Sequence, residues 1–155
     1  MKFLFASLPA RMEAGGIRLR PMRPWVFNFA KCGCHIRYKI EEKDSVGKFR
    51  PVGLIGLFNL DFRKSAEAGI EIDEDKRGRG IGETALRLFL NGIREHAFLE
   101  EIEARVRPDN GPALHLFRRL GFDEEDSGVI GFRKFRLVFD KSEFAGQGGN
   151  HGRTG

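Results

Sequence analysis

Residues 76–90, KRGRGIGETALRLFL, place Gly78, Gly80 and Gly82 directly ahead of an apolar periodic run, and this stretch most restricts what the chain can fold into. Upstream, EAGIEIDED (67–75) alternates Ile70 and Ile72 with Glu71, the pattern of a half-buried strand. Downstream, Ile81, Ala85, Leu88, Phe89 and Ile93 recur at helical spacing, which predicts a helix over 81–97. A strand that turns through glycines into a helix brings free N–H groups and the positive end of the helix dipole to one point, where an anion is attracted. Glycine also lets the backbone turn tightly and approach a ligand closely. Two readings of the loop therefore stand side by side: an ordinary glycine-rich turn, and an anion cradle.

Spacing removes two familiar cradles. A phosphate-binding P-loop requires Lys followed by Ser or Thr after its last glycine, and neither follows Gly82. The dinucleotide fingerprint places two residues between its second and third glycines, whereas Gly80 and Gly82 are separated by Ile81 alone.

Around this unit the chain reads as further strands and one more helix. GIRLRPM (16–22) is a short strand ended by Pro21, CHIRYKIEEK (34–43) a strand, KDSVGKFRP a turn, and VGLIGLFNLDF (52–62) the hairpin partner. EIEARVRP (101–108) alternates Ile102, Ala104 and Val106 with charges. DNGPALHLFRRLGF carries polar capping residues, Pro112 in its first turn and Gly121 at its end, the signals of a short helix. VIGFRKFRLVF (129–139) closes the series as a strand. The order predicts an α/β layer fold with mixed strand directions, its glycine loop at the carboxyl end of a strand, where open α/β sheets place ligands. One domain over 1–144 is expected, followed by a disordered tail (145–155, AGQGGNHGRTG) with nothing to bury.

Composition narrows the function classes. No apolar run is long enough to cross a bilayer, and the run in MKFLFASLPARM is shorter than a secretory core and is followed at once by Arg11, so no membrane or signal segment is expected. Residues 1–50 carry 11 Lys and Arg against 4 Asp and Glu, and residues 51–155 carry 16 against 18. The basic first third suits an acidic partner or is a solvated surface. A continuous basic stripe with exposed aromatics is missing, which argues against nucleic acid. Cys32 and Cys34 in KCGCHI lie closer together than the ligand pairs of structural zinc sites and no four-ligand set accompanies them, so no metal is expected. Two thiols without a wider cysteine framework fit a reducing, cytoplasmic setting.

SAEAGIEIDEDKRGRGIGETALRLFL followed by RPDNGPALHLFRRLGFDEE resembles the GNAT superfamily of acyl-CoA-dependent N-acetyltransferases, in particular its ribosomal-protein N-terminal acetyltransferase-like branch. The family's Gln/Arg-x-x-Gly-x-Gly/Ala signature is matched from Arg77 through Gly78, Arg79, Gly80 and Ile81 to Gly82. A second signature, Asn-x-x-Ala, a short helix and then Gly-Phe, is matched by Asn110, Ala113, Gly121 and Phe122. The resemblance covers roughly residues 37–139 and implies a mixed, mostly antiparallel central sheet flanked by helices. It implies that backbone amides from Arg77 to Gly82 cradle the coenzyme A pyrophosphate, that the pantetheine arm pairs with Glu71, Ile72 and Asp73, and that Asn110, Ala113 and Phe117 border the arm.

The implied activity is transfer of an acetyl group from acetyl-CoA to a primary amine, a protein amino terminus or a small molecule, by direct attack in a ternary complex. Such a reaction needs a neutral amine, a stabilised oxyanion and departure of the thiolate. Glu67 and Glu71, four residues apart on one strand, share a face and are the candidate proton acceptors. A backbone N–H near Ile72 is the implied oxyanion donor. Two departures from the family pattern stand out. Phe117 replaces the tyrosine many relatives use to protonate the leaving thiolate, and Tyr38, the single tyrosine, lies on an earlier strand. The segment between Pro21 and His35 is too short for the two helices that usually form one wall of the acceptor site, so an abbreviated amino-terminal helical region is expected, with the wall built differently or completed by a second copy in a homodimer. These departures also motivate an alternative, a catalytically weak or inactive acyl-CoA-binding module.

Overall fold

The computed structural model describes residues 11–22, 27–28, 33–34, 36–59, 64–96 and 99–140. Strands β1 (Met12–Ala14), β2 (Ile17–Pro21), β5 (Ile36–Lys43), β6 (Phe49–Phe58), β7 (Ser65–Ile72), β8 (Glu101–Val106), β9 (Asp123–Glu125) and β10 (Arg133–Val138) form one sheet in the order β1-β2-β5-β6-β7-β8-β10-β9. Within it only β7 and β8 run parallel; every other pair is antiparallel. A separate two-residue ladder joins β3 (Phe27–Asn28) to β4 (Gly33–Cys34). Helix α1 (Ile81–His96) makes the crossover from β7 to β8, and α2 (Gly111–Arg119) follows β8. The result is the mixed, mostly antiparallel sheet flanked by helices that the sequence predicts. The expectations for the amino-terminal segment, for most of the shortened wall and for the tail beyond residue 140 lie outside the described residues.

Side-chain alternation decides which face is covered. Leu19, Ile36, Tyr38, Ile40, Ile55, Leu57, Ala66, Ala68, Ile102, Ala104 and Phe135 are buried, and they pack with Ala85, Leu86, Phe89, Ile93 and Phe117 of the helices in one core. Burying one of the leucine, isoleucine or phenylalanine side chains among them stabilises the fold by roughly 1.5–3 kcal/mol. The other face, from β7 to β9, is a lattice of ion pairs: Glu67–Arg105 at 2.9 Å, Glu103–Lys134 at 2.6 Å and Glu101–Arg136 at 2.6 Å.

Local signals fix the ends of α2. Asn110 accepts a hydrogen bond from the Ala113 amide on its side-chain oxygen (3.2 Å), the arrangement of an N-cap, and Pro112 sits in the first turn. At the other end Gly121 takes φ +83°, its N–H donates to the Arg118 carbonyl and the Phe122 N–H donates to the Phe117 carbonyl. This is a Schellman closure, completed by edge-on contact of Phe117 and Phe122 at 5.1 Å.

The elements depart from the sequence reading at several places, among them β6, which begins at Phe49 inside the segment read as a turn, and the β3–β4 ladder, which carried no strand signal. Strand β7 stops at Ile72, and Glu74–Lys76 wind into a 3-10 turn with Glu74 and Asp75 in the first turn, where the dipole favours them. The last strand begins at Arg133, because Val129–Phe132 forms a hydrogen-bonded turn. Strands β1 and β9 are additional, the latter an all-acidic Asp-Glu-Glu held against Lys134 and Arg136.

Candidate functional site

The parallel ladder between β7 and β8 ends at Glu67 and Glu103, after three residue pairs, while β7 continues to Ile72 and β8 to Val106. Beyond that point the two strands part. On its other edge β7 stays paired with β6 from Glu67 to Ile72, and the Asp73 amide donates to the Val52 carbonyl at 2.9 Å. Antiparallel pairs alternate between hydrogen-bonded and open, so Asp73, Glu71 and Gly69 direct their backbone groups toward β6 while Ile72, Ile70 and Ala68 direct theirs into the parting. Backbone groups need partners; here the Ile72 carbonyl accepts from Arg77 Nε at 2.9 Å, leaving the amides of Ile70 and Ile72 to an extended ligand.

At the carboxyl end of β7 lies the glycine loop. Gly78 and Gly80 adopt φ +73° and +79°, which side chains bearing a Cβ rarely take, and nothing lies within 4 Å of where those Cβ atoms would be. Among the described residues, the backbone N–H groups from Gly78 to Glu83 have no acceptor; the first capped amide is that of Thr84, on the Gly80 carbonyl at 3.1 Å. A run of unpaired amides at the start of a 16-residue helix is an anion site. Ile81 is buried and anchors the helix to the core, and Gly82 lies close beneath Ile70, Ile72 and Leu116. Arg79 Nη2 is held by Glu42 Oε1 at 2.8 Å, so both arginines of the loop have an anchor in the protein.

The second signature meets the first across the parting. Capping consumes the Asn110 side-chain oxygen and leaves its Nδ2 as a donor at the start of α2. Phe117 is buried against Phe135 (ring centroids 5.7 Å, stacked) and Phe122. Tyr38 is buried on the helix-covered face, edge-on to Phe89 at 5.7 Å, and burial pushes its hydroxyl up to about 12.

The two carboxylates sit on the face away from the helices, Glu67 at the point of parting and Glu71 beyond it. Glu67 Oε2 accepts from Arg105 Nη1 at 2.9 Å and from Asn59 Nδ2 at 3.1 Å, which leaves Oε1 open. Glu71 lines a cavity of about 340 Å³ with Arg37, Leu54, Gly56, Phe58, Gly69 and neighbouring Ile55 and Ile70. Arg37, Leu54 and Phe58 did not stand out in the sequence, because their convergence depends on the register of three strands. Among the described residues no group of three or more His, Cys, Asp or Glu is arranged to hold a metal ion, and no helix is long and apolar enough to cross a membrane.

Comparison with known proteins decides the family: residues 4–123 match the model of the acetyltransferase (GNAT) domain. The chain belongs to the GNAT family. It is 29% identical over 126 residues to an N-acetyltransferase 9-like protein of Nematostella vectensis, an alignment that takes in 77% of this chain and 63% of that relative's length. Among solved structures, ribosomal-protein-S5-alanine acetyltransferase from Vibrio fischeri superposes with TM-score 0.67 over 86% of this chain and 98% of the other, at 13% identity. Spermidine N-acetyltransferase from Vibrio cholerae, in complex with CoA and spermine, superposes with TM-score 0.57 over 68% of this chain and 66% of the other, at 23% identity. At these identities the two superpositions establish the fold.

Proposed function

We propose that this GNAT-family protein transfers an acetyl group from acetyl-CoA to a primary amine, and that it belongs to the branch acting on protein amino termini. The observation that carries the reading is the parting of β7 from β8 beyond Glu67 and Glu103, which ends at the unpaired amides of Gly78 to Glu83. The residues fit the group: those amides suit a pyrophosphate, the amides of Ile70 and Ile72 suit an extended arm with amide groups of its own, and Asn110 Nδ2 supplies a donor from the opposite wall. Acetyl-CoA supplies the activated acyl thioester. Everything else is the work of the chain.

The helices fill one face of the sheet, so an acceptor reaches the parting from the other, where Glu67 and Glu71 lie. Both substrates then sit in the site together, as direct transfer requires. Glu71 pairs with no cation among the described residues and takes the amine proton, directly or through one water. Glu67, held by Arg105 and Asn59, supplies negative potential that draws in the ammonium. The Ile72 N–H, nearer the glycine loop, pairs with the arm, and the Ile70 N–H, farther along β7 and also directed into the parting, stabilises the developing oxyanion. An α-amino group, with an unperturbed pKa of ~7.7–8.0, asks less of a carboxylate base than a lysine at ~10.4, which favours amino termini as acceptors. A simple thiol has a pKa of ~8.5, so the thiolate departs and is protonated by solvent without a phenol at position 117.

A second reading, an acyl-CoA-binding module of little or no activity, rests on Phe117 and on the burial of Tyr38, which together leave no described phenol at the parting. The test is acetyl-CoA-dependent release of free thiol with a panel of peptides and small amines. Turnover that saturates in both substrates supports the transferase; saturable coenzyme binding without turnover on any amine supports the module.

A further inference from the structure

The cavity beside Glu71 has a charge order that the transfer reaction does not require. Gly69 of β7 pairs with Gly56 of β6, and Gly56 pairs with Arg37 of β5, so the three lie in one row across the sheet. In the next row Glu71 pairs with Leu54 and Leu54 with Lys39. Both rows run away from the parting on the face opposite the helices. The carboxylate of Glu71 stands at the near end, on β7, and the cations of Arg37 and Lys39 at the far end, on β5. No carboxylate among the described residues pairs with Arg37 or Lys39, whereas Arg105, Lys134 and Arg136 on the same face all have one.

The two glycines make room for the side chains that build the trough, Phe58 over Gly69 and the Arg37 stem beside Gly56. A Cβ on Gly56 would lie 2.3 Å from the Ile36 carbonyl oxygen and 3.3 Å from Arg37 Cγ, and one on Gly69 would lie 2.8 Å from Phe58 Cε2. Phe58 and Leu54 wall the trough, and the Arg37 guanidinium lies 5.8 Å from the Phe58 ring centroid, a cation–π contact that holds it over the cavity.

Resting on the transferase reading above, we propose that Arg37 selects acceptors carrying a carboxylate close to the amine, namely peptide amino termini with Asp or Glu at the second or third residue. The amine docks at Glu71 beside the parting, the backbone follows the cavity between Leu54 and Phe58, and the acidic side chain meets Arg37. The dimensions agree. Two strand spacings of ~4.8 Å and an offset of two residues separate Glu71 from Arg37, about 12 Å between backbones, and the reach of the two side chains brings that span within about three residues of an extended peptide at ~3.3–3.6 Å each. A guanidinium also offers a carboxylate two parallel hydrogen bonds, which a point charge cannot.

The test is kcat/KM for three peptides of equal length and identical first residue, with Glu, Gln or Lys at positions two and three, on the full chain and on Arg37→Gln and Arg37→Glu. Ratios between peptides are read on each protein separately, so a general loss of stability or activity in a variant cancels. The wild type should favour Glu over Gln about tenfold or more, mainly through KM. Arg37→Gln should bring that ratio near one, and Arg37→Glu should shift preference to the Lys peptide. A wild-type ratio near one, or a preference for Glu that survives in both variants, overturns the role of Arg37 while leaving acetyl transfer intact. Absence of turnover on every peptide and small amine overturns the transferase reading, and this inference with it.

Discussion

At the scale of single residues, the site separates two carboxylates that the sequence presents as equivalents. Glu67 has one oxygen committed to Arg105 and Asn59, which holds the carboxylate in place and leaves Oε1 alone to meet a substrate. Glu71 faces the cavity without such a partner. Glu71→Gln should therefore lower kcat/KM by roughly 10²-fold, within the usual contribution of general base catalysis. Glu67→Gln should cost less and act more on KM; initial rates over both substrate concentrations measure the split. Tyr38 makes a separate prediction. Its hydroxyl stays protonated in the fold up to about 12, against ~10 for a free phenol, so between those values the native state holds a proton that the unfolded chain has lost. Stability from this group thus falls as pH rises from about 10 to 12, by about 2–3 kcal/mol at most. Denaturant unfolding across that range should fall more steeply for the wild type than for Tyr38→Phe.

At the scale of elements, the site exists because β7 serves two partners at once. Its β6 edge must hold while its β8 edge opens, and that edge is held at close range: a Cβ on Gly53 would lie 2.2 Å from the Glu71 carbonyl oxygen and 3.1 Å from Ile72 Cα. Gly53→Ala should push β6 from β7 beside Glu71 and Ile72, costing about 1–3 kcal/mol in unfolding free energy as overpacking does. It should also weaken coenzyme binding, although residue 53 is remote from the loop in sequence; paired denaturation and binding measurements check both. The elements themselves were largely legible. The caps of α2 were written in Asn110, Pro112 and Gly121, and the run from Ile81 to Ile93 declared α1. Strand β9 was not legible, because Asp123, Glu124 and Glu125 carry no apolar alternation, and only the cations of β10 make that segment a strand.

For the whole molecule, one face carries the structural burden and the other is left for chemistry. Both helices and the buried aromatics lie on the first, while the second shows ion pairs from β7 to β9 and a trough from β7 to β5. The glycine loop and Asn110 were readable because each motif is local. Arg37, Leu54 and Phe58 were not, since their meeting with Glu71 is set by the registers of β5 on β6 and β6 on β7, which no short window contains. The same holds for Glu67, whose partner Arg105 lies 38 positions away in sequence. On the function proposed above, a bound acyl-CoA joins the loop to the parting, and calorimetric titration with acetyl-CoA tests that most directly, with Gly80→Glu alongside. The account predicts saturable binding in the micromolar range by the wild type and loss of binding in the variant, with both proteins folded by circular dichroism. A folded wild type that takes up no acetyl-CoA, or a Gly80→Glu protein that binds it equally well, would contradict the account.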